Sequence, residues 1–112
     1  MNDALSYLKN FVTVKIDRPM GSKHPDKGFL YPINYGYIPN TIGLDGEEVD
    51  AYVLGVFEPI EEFAGDVIAV IHRINDSDDK LIVGPSGIEY SDEQIRALTE
   101  FRERNYESII LR

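Results

Sequence analysis

The densest group of residues able to do chemistry is Asp45-Gly46-Glu47-Glu48-Val49-Asp50. Asp45 and Glu47 stand two apart, so an extended chain points them the same way, and Gly46 permits a turn tight enough to bring Asp50 to the same place. Three converging carboxylates repel one another and need cations, shared protons or good solvation. Hard oxygen donors of this kind suit Mg²⁺, Mn²⁺ or Ca²⁺. A solvated acidic turn is the plain alternative, and on these residues alone the two readings stand level.

A second acidic run, Asn75-Asp76-Ser77-Asp78-Asp79-Lys80, fails as a calcium-binding helix-loop-helix. Its ligand spacing breaks at Lys80, and Leu81 stands where that loop needs glycine. Alone it reads as an exposed hairpin tip. Beside the first group it completes a pair of carboxylate clusters able to hold two or more cations, with Lys80 reaching an anionic oxygen between them. The segment Tyr31-Pro32-Ile33-Asn34-Tyr35-Gly36-Tyr37-Ile38 runs toward the first acidic group. Its rings suit core packing, and its hydroxyls can donate to phosphate oxygens.

Other constellations carry less. His24 and His72 stand apart from any nucleophile and read as surface or satisfied histidines. Gly84-Pro85-Ser86-Gly87 lacks the nucleophile-elbow pattern, and Gly21-Ser22-Lys23 lacks the spacing of a Walker loop. Glu100, Arg102, Glu103 and Arg104 read as a solvated helix face.

The elements that must position these residues follow from periodicity. Phe11 to Asp17 alternates as a strand and stops at Pro19 and Gly21. Pro32 and Pro39 keep Lys27 to Thr41 extended or turning. Asp50 to Phe57, Val67 to Ile74 and Lys80 to Val83 are further β-branched runs, separated by Gly65-Asp66 and by the second acidic group. Ser91-Asp92-Glu93-Gln94 is a capping box that opens a helix with Ile95, Leu98 and Phe101 along one stripe. Ser108 to Leu111 reads as a final strand or a packed tail. About five short strands followed by one helix predict an α+β, mainly β chain: a closed or nearly closed barrel with the C-terminal helix packed on it.

Length and charge bound the function. The 112 residues, 43% hydrophobic and 28% charged, suit one folded domain spanning 1–112. A formal net charge of -9 opposes nucleic acid and anionic membranes, unless divalent cations stand between the carboxylates and an anionic partner. The chain has no cysteine, which removes thiolate metal sites and cysteine nucleophiles. Neither a signal-like start nor a membrane-length apolar run is evident, so the expected setting is soluble and cytoplasmic.

Asn34-Tyr35-Gly36-Tyr37-Ile38 followed by Asp45-Gly46-Glu47-Glu48-Val49-Asp50 resembles the central signature of the soluble, magnesium-dependent inorganic pyrophosphatases, an Asn-Tyr-Gly-Tyr segment ahead of Asp-x-Asp-x-x-Asp. The resemblance implies a five-stranded OB-like barrel, hydrolysis of pyrophosphate to two phosphates, and a homo-oligomer. It implies Mg²⁺, with Mn²⁺ as a substitute, held by Asp45, Asp50, Asp76 and Asp78. Glu47 falls where the family's aspartate helps deprotonate the attacking water. Tyr35, Lys80 and Tyr106 fall on positions resembling phosphate contacts. Lys15 stands where a metal-associated glutamate is expected, Glu107 where a lysine is expected, and the shortened loop after the first strand lacks the family's arginine. Lys23, Lys27 or Arg18 can stand in from that loop. Another phosphoanhydride as substrate, or a non-catalytic metal- or phosphate-binding role, are the alternatives.

Overall fold

Among the described residues, β-branched and aromatic residues at alternate positions build six strands, and an amphipathic stretch builds the helix. The computed structural model describes residues 4–43, 46–76 and 78–112. After a 3-10 turn at Ala4–Tyr7 come β1 (Phe11–Arg18), β2 (Asn34–Ile38), β3 (Val49–Val53), β4 (Glu62–Arg73), β5 (Lys80–Gly84), α1 (Asp92–Glu103) and β6 (Ser108–Leu111). The strands pair in the order β1-β2-β3-β5-β4-β6, and β1 also pairs with β4. That last pairing closes a five-stranded, OB-like mixed barrel, to which β6 adds along β4. All pairs are antiparallel except β3 with β5. Among the described residues no helix is long and apolar enough to cross a membrane.

The barrel and its helix follow the sequence reading, with two differences of detail. Gly65-Asp66 does not separate elements: β4 runs through both, its first half pairing with β1 from Lys15↔Glu62 to Phe11↔Asp66 and its second half with β5 and β6. A Cβ at Gly65 would stand 2.4 Å from the Gly84 carbonyl oxygen, so this glycine permits close strand approach. β3 stops at Val53 instead of reaching Phe57, because Gly55 takes a φ of +83° and turns the chain. Of the two readings of the C-terminal run, a final strand and a packed tail, the structure shows the strand.

Two hydrophobic layers result. Val14, Ile38, Ala51, Val53, Val67, Val70, Leu81 and Val83, drawn from all five barrel strands, fill one. Tyr35, Tyr52, Leu54, Ala69, Ile71 and Ile82, on the opposite faces of those strands, pack with Tyr31, Leu98, Phe101 and fully buried Ile95 beneath α1. A register shift between Val67 and Ala69 lets Val67 and Val70 share a layer despite their spacing of three. The helix starts as its capping box dictates: the Gln94 N–H donates to Ser91 Oγ at 3.1 Å and the Ser91 N–H donates to Gln94 Oε1 at 2.8 Å.

Candidate active site

Strand register brings the chemistry together. β3 and β5 run parallel with Asp50 beside Lys80, and β2 lies antiparallel to β3 with Tyr37 beside Asp50 and Tyr35 beside Tyr52. Asp50 and Lys80 are therefore neighbours at one end of the barrel although thirty residues separate them. Asp78, two residues before Lys80, folds back onto it. The Lys80 ammonium is fully buried and donates to Asp50 Oδ2 at 2.6 Å, Asp78 Oδ2 at 2.8 Å and the Tyr35 hydroxyl at 2.9 Å. An ammonium has three protons, and these partners take all three. As folded, Lys80 holds two carboxylates together and offers no N–H to an incoming anion.

Burial, then the Asp50 charge, pushes the Tyr35 hydroxyl well above its ordinary value, so it stays protonated at neutral pH and can return a hydrogen bond to Asp50. Its ring is fixed by Tyr31 at 5.6 Å and Tyr52 at 5.0 Å between centroids. Asn34, also fully buried, ties the neighbouring loops down: its Oδ1 accepts from the Met20 N–H at 2.8 Å and its Nδ2 donates to the Glu58 carbonyl at 2.9 Å. Gly36 is required by contact, since a Cβ there would sit 1.9 Å from the Lys15 carbonyl oxygen across the β1–β2 pair.

Behind this corner lies a second ionic group. Arg73, the last residue of β4, forks onto Glu103 of α1, Nε to Oε1 at 3.0 Å and Nη2 to Oε2 at 2.6 Å, and the Tyr52 hydroxyl donates to Oε2 at 2.7 Å. Burial weighs against the Arg73 charge, but Glu103 outweighs it and raises the pKa further. Arg73 Nη1 reaches Asp78 Oδ2 at 3.3 Å and Asp76 Oδ2 at 3.5 Å, and Tyr106 covers the guanidinium at 3.7 Å from its ring centroid.

The residues singled out in the sequence thus divide. Tyr35, Asp50, Asp78 and Lys80 meet directly, while Asp76 and Tyr106 join through Arg73. Glu47 is exposed just before β3, and Lys23 is exposed in the β1–β2 connection, where its backbone bridges Leu30. Asp45 lies outside the described residues. His24 Nδ1 caps the N–H groups of Asp26 and Lys27 at 3.1 Å each, a local turn role. Among the described residues no three His, Cys, Asp or Glu side chains are gathered to hold a metal ion. Asp50 and Asp78 nevertheless fit a hard divalent cation: each spends Oδ2 on Lys80, and their side chains keep 30% and 22% of their surface open.

Besides Arg73 and Tyr52, three contributors escaped the sequence reading. The solvated helix face is a correction: Glu100 and Arg104 form an exposed pair, but Glu103 is buried and Arg102 half-buried. The clue was Ile95, Thr99 and Glu103 at spacings of four, one face of a helix. Arg102 lies over the Tyr35 ring at 5.0 Å and, among the described residues, forms no ion pair. Asp17, at the irregularity in β1 between Ile16 and Arg18, faces the charges of Asp50 and Arg102. Crowding of its carboxyl by the chain, with Asp50 adding, raises its pKa against the pull of Arg18.

A small closed barrel whose end gathers carboxylates, a tyrosine and arginine under the C-terminal helix defines an OB-like protein with a charged corner. A family model described as inorganic pyrophosphatase matches residues 6–110, and the chain belongs to that family. It is 41% identical over 82 residues to an inorganic pyrophosphatase of Helicobacter pylori, covering 66% of this chain and 47% of that one. A Methanosarcina acetivorans inorganic pyrophosphatase is 38% identical over 76 residues, covering 66% and 40%. The chain therefore spans about half the length of the curated relatives it matches. Among solved structures, an inorganic pyrophosphatase from Ehrlichia chaffeensis superposes with a TM-score of 0.68 at 18% identity, covering 90% of this chain and 84% of that one. One from Coxiella burnetii gives 0.64 at 22%, covering 92% and 84%. These two likenesses concern the fold.

Proposed function

We propose that the chain hydrolyses inorganic pyrophosphate to two phosphates with Mg²⁺ as cofactor, Mn²⁺ substituting. The observation that carries this reading is that Tyr35 links the Asp50–Asp78 pair, through Lys80, to Arg102, a half-buried cation that forms no ion pair among the described residues. An anion that arrives with divalent cations needs both kinds of group, and phosphoryl transfer asks the protein chiefly for position and electrostatics. Asp50 and Asp78 would hold the ion, with Asp45 as a further ligand. Bound there, Mg²⁺ would neutralise substrate charge and make water more acidic. Lys80 keeps the two carboxylates at one point despite their repulsion. Arg102 takes the charge of a phosphate group, the part the shortened β1–β2 loop leaves open, and Lys23 or Tyr106 adds contacts at the rim. Glu47, exposed three residues before Asp50, accepts the proton of the attacking water.

The net charge of -9 speaks against nucleic acid as a partner, and the setting is read as cytoplasmic. A homo-oligomer is part of the same reading. The test is phosphate release from pyrophosphate with Mg²⁺, Mn²⁺ and Ca²⁺ in parallel, using Asp50→Ala as control. Activity with Mg²⁺ that vanishes in the control is expected, and Arg102→Ala should lower kcat/KM about 10- to 100-fold, as for a lost hydrogen bond to a charged group. No release above the Asp50→Ala background would refute the reading.

A further inference from the structure

Arg73 is held too firmly, and pointed too specifically, to be only a structural ion pair. We propose that it is the resident cation of the Asp76–Asp78 loop, so that Asp76 is balanced by this guanidinium and does not ligate a divalent ion. Its side chain is 1% exposed. The fork on Glu103 consumes Nε and Nη2, the Tyr52 hydroxyl steadies Glu103 at 2.7 Å, and Tyr106 lies over the guanidinium plane. Nη1 remains, aimed at Asp76 Oδ2 and Asp78 Oδ2 at 3.5 and 3.3 Å.

Asp78 Oδ2 also takes the Lys80 ammonium, so two buried cations converge on one oxygen. Arginine does not deprotonate in proteins, and this one is clamped on three sides. A divalent ion shared by Asp76 and Asp78 would meet a like charge that can neither leave nor titrate. Arg73 and Lys80 together face four carboxylates, Asp50, Asp76, Asp78 and Glu103, so two negative charges remain, and with the Arg73 guanidinium fixed beside Asp76 a divalent ion meets them on the Asp50 side. There the inference rests on the proposed function, which puts the divalent ion at that place.

Calorimetric titration of the full chain with MgCl₂ and MnCl₂, without substrate, tests it separately from catalysis. Asp76→Asn, at a side chain 40% exposed, should leave stoichiometry and affinity within about twofold, while Asp50→Asn weakens binding tenfold or more. Arg73→Met, folded by circular dichroism, should take up one additional ion per chain. A tenfold loss in Asp76→Asn, or a folded Arg73→Met binding no more ions than the parent, overturns the proposal. If Arg73→Met does not fold, the Asp76→Asn comparison decides. A parent chain that takes up no divalent ion would sink the metal-dependent reading above and leave Arg73 as the loop's cation.

Discussion

Replacing Glu103 by glutamine tests the seam between helix and barrel. Three donors converge on this carboxylate, two N–H groups of Arg73 and the Tyr52 hydroxyl, and the Arg73 and Glu103 side chains are 1% and 7% exposed. Glutamine keeps the volume and one acceptor but sets an NH₂ against a guanidinium N–H in either orientation. One Arg73 donor then loses its partner, and the buried cation loses its strongest counterion. Breaking a buried pair from one side costs about 3–5 kcal/mol, and because Asp78 still faces Arg73 the lower end applies, about 3 kcal/mol. At roughly 4 °C per kcal/mol for a chain of this size, the midpoint should fall about 12 °C. Urea denaturation and calorimetry at pH 7 read the effect. Glu100→Gln on the same helix is the control: its pair with Arg104 is 58% and 59% exposed and should be worth less than about 0.5 kcal/mol. A Glu103→Gln loss no larger than that of the control would refute the claim that this pair joins α1 to β4.

Lys80→Met removes the cation between Asp50 and Asp78. It should cost about 2–4 kcal/mol in metal-free buffer, with millimolar MgCl₂ restoring part of the thermal midpoint, and a metal-free midpoint equal to the parent's would contradict the assigned role. Gly36→Ala drives a methyl to 1.9 Å from the Lys15 carbonyl oxygen and 2.9 Å from Ile16 Cα, so β1 and β2 must part; a loss of about 3 kcal/mol or more is expected in urea melts. Asp17 has a raised folded pKa, so its ionisation penalises the folded state at neutral pH, and the penalty disappears as pH falls through that raised value toward 3.8. Asp17→Asn should therefore stabilise the chain at pH 7 by less than about 1 kcal/mol, screened by solvent, and lose that advantage by pH 3.5 in paired thermal melts.

What the sequence disclosed was local. The capping box at Ser91 needs only residues three apart, and the alternation in β1 is visible within eight. What it withheld was long-range. Asp50 and Lys80 become neighbours only because β3 and β5 pair in parallel, a register that no spacing along the chain announces. Gly65 looked like a break because glycine more often ends a strand than lets two strands approach closely, as it does here against Gly84. Glu103 shows how charge composition misleads on a helix. Glu100 and Glu103 are the same residue type three positions apart, yet one pairs in solvent and the other beneath the helix, because Glu103 continues the face of Ile95 and Thr99. The candidate ligands themselves were legible as residue types, and the cation that each carboxylate meets was not.

The charge distribution bears on how an acidic chain could take the anionic substrate proposed for it. A net charge of -9 would repel pyrophosphate if it were spread evenly, but the fold takes Lys80, Arg73 and, in part, Arg102 inward to one end of the barrel. Lys80 and Arg73 are consumed by carboxylates; their effect is to let Asp50, Asp76 and Asp78 stand together without metal, so the corner is preformed before any ion arrives. Among the described residues Arg102 forms no ion pair; it lies over the Tyr35 ring, with Asp17 and Arg73 near enough for their charges to act on it. On the proposed function, preformed carboxylates and an Arg102 guanidinium linked through Tyr35 make a site that takes an anion and a divalent cation together more tightly than either alone. Anion and divalent cation should therefore bind with positive coupling, each tightening the other by the same factor, since binding free energies are reciprocal.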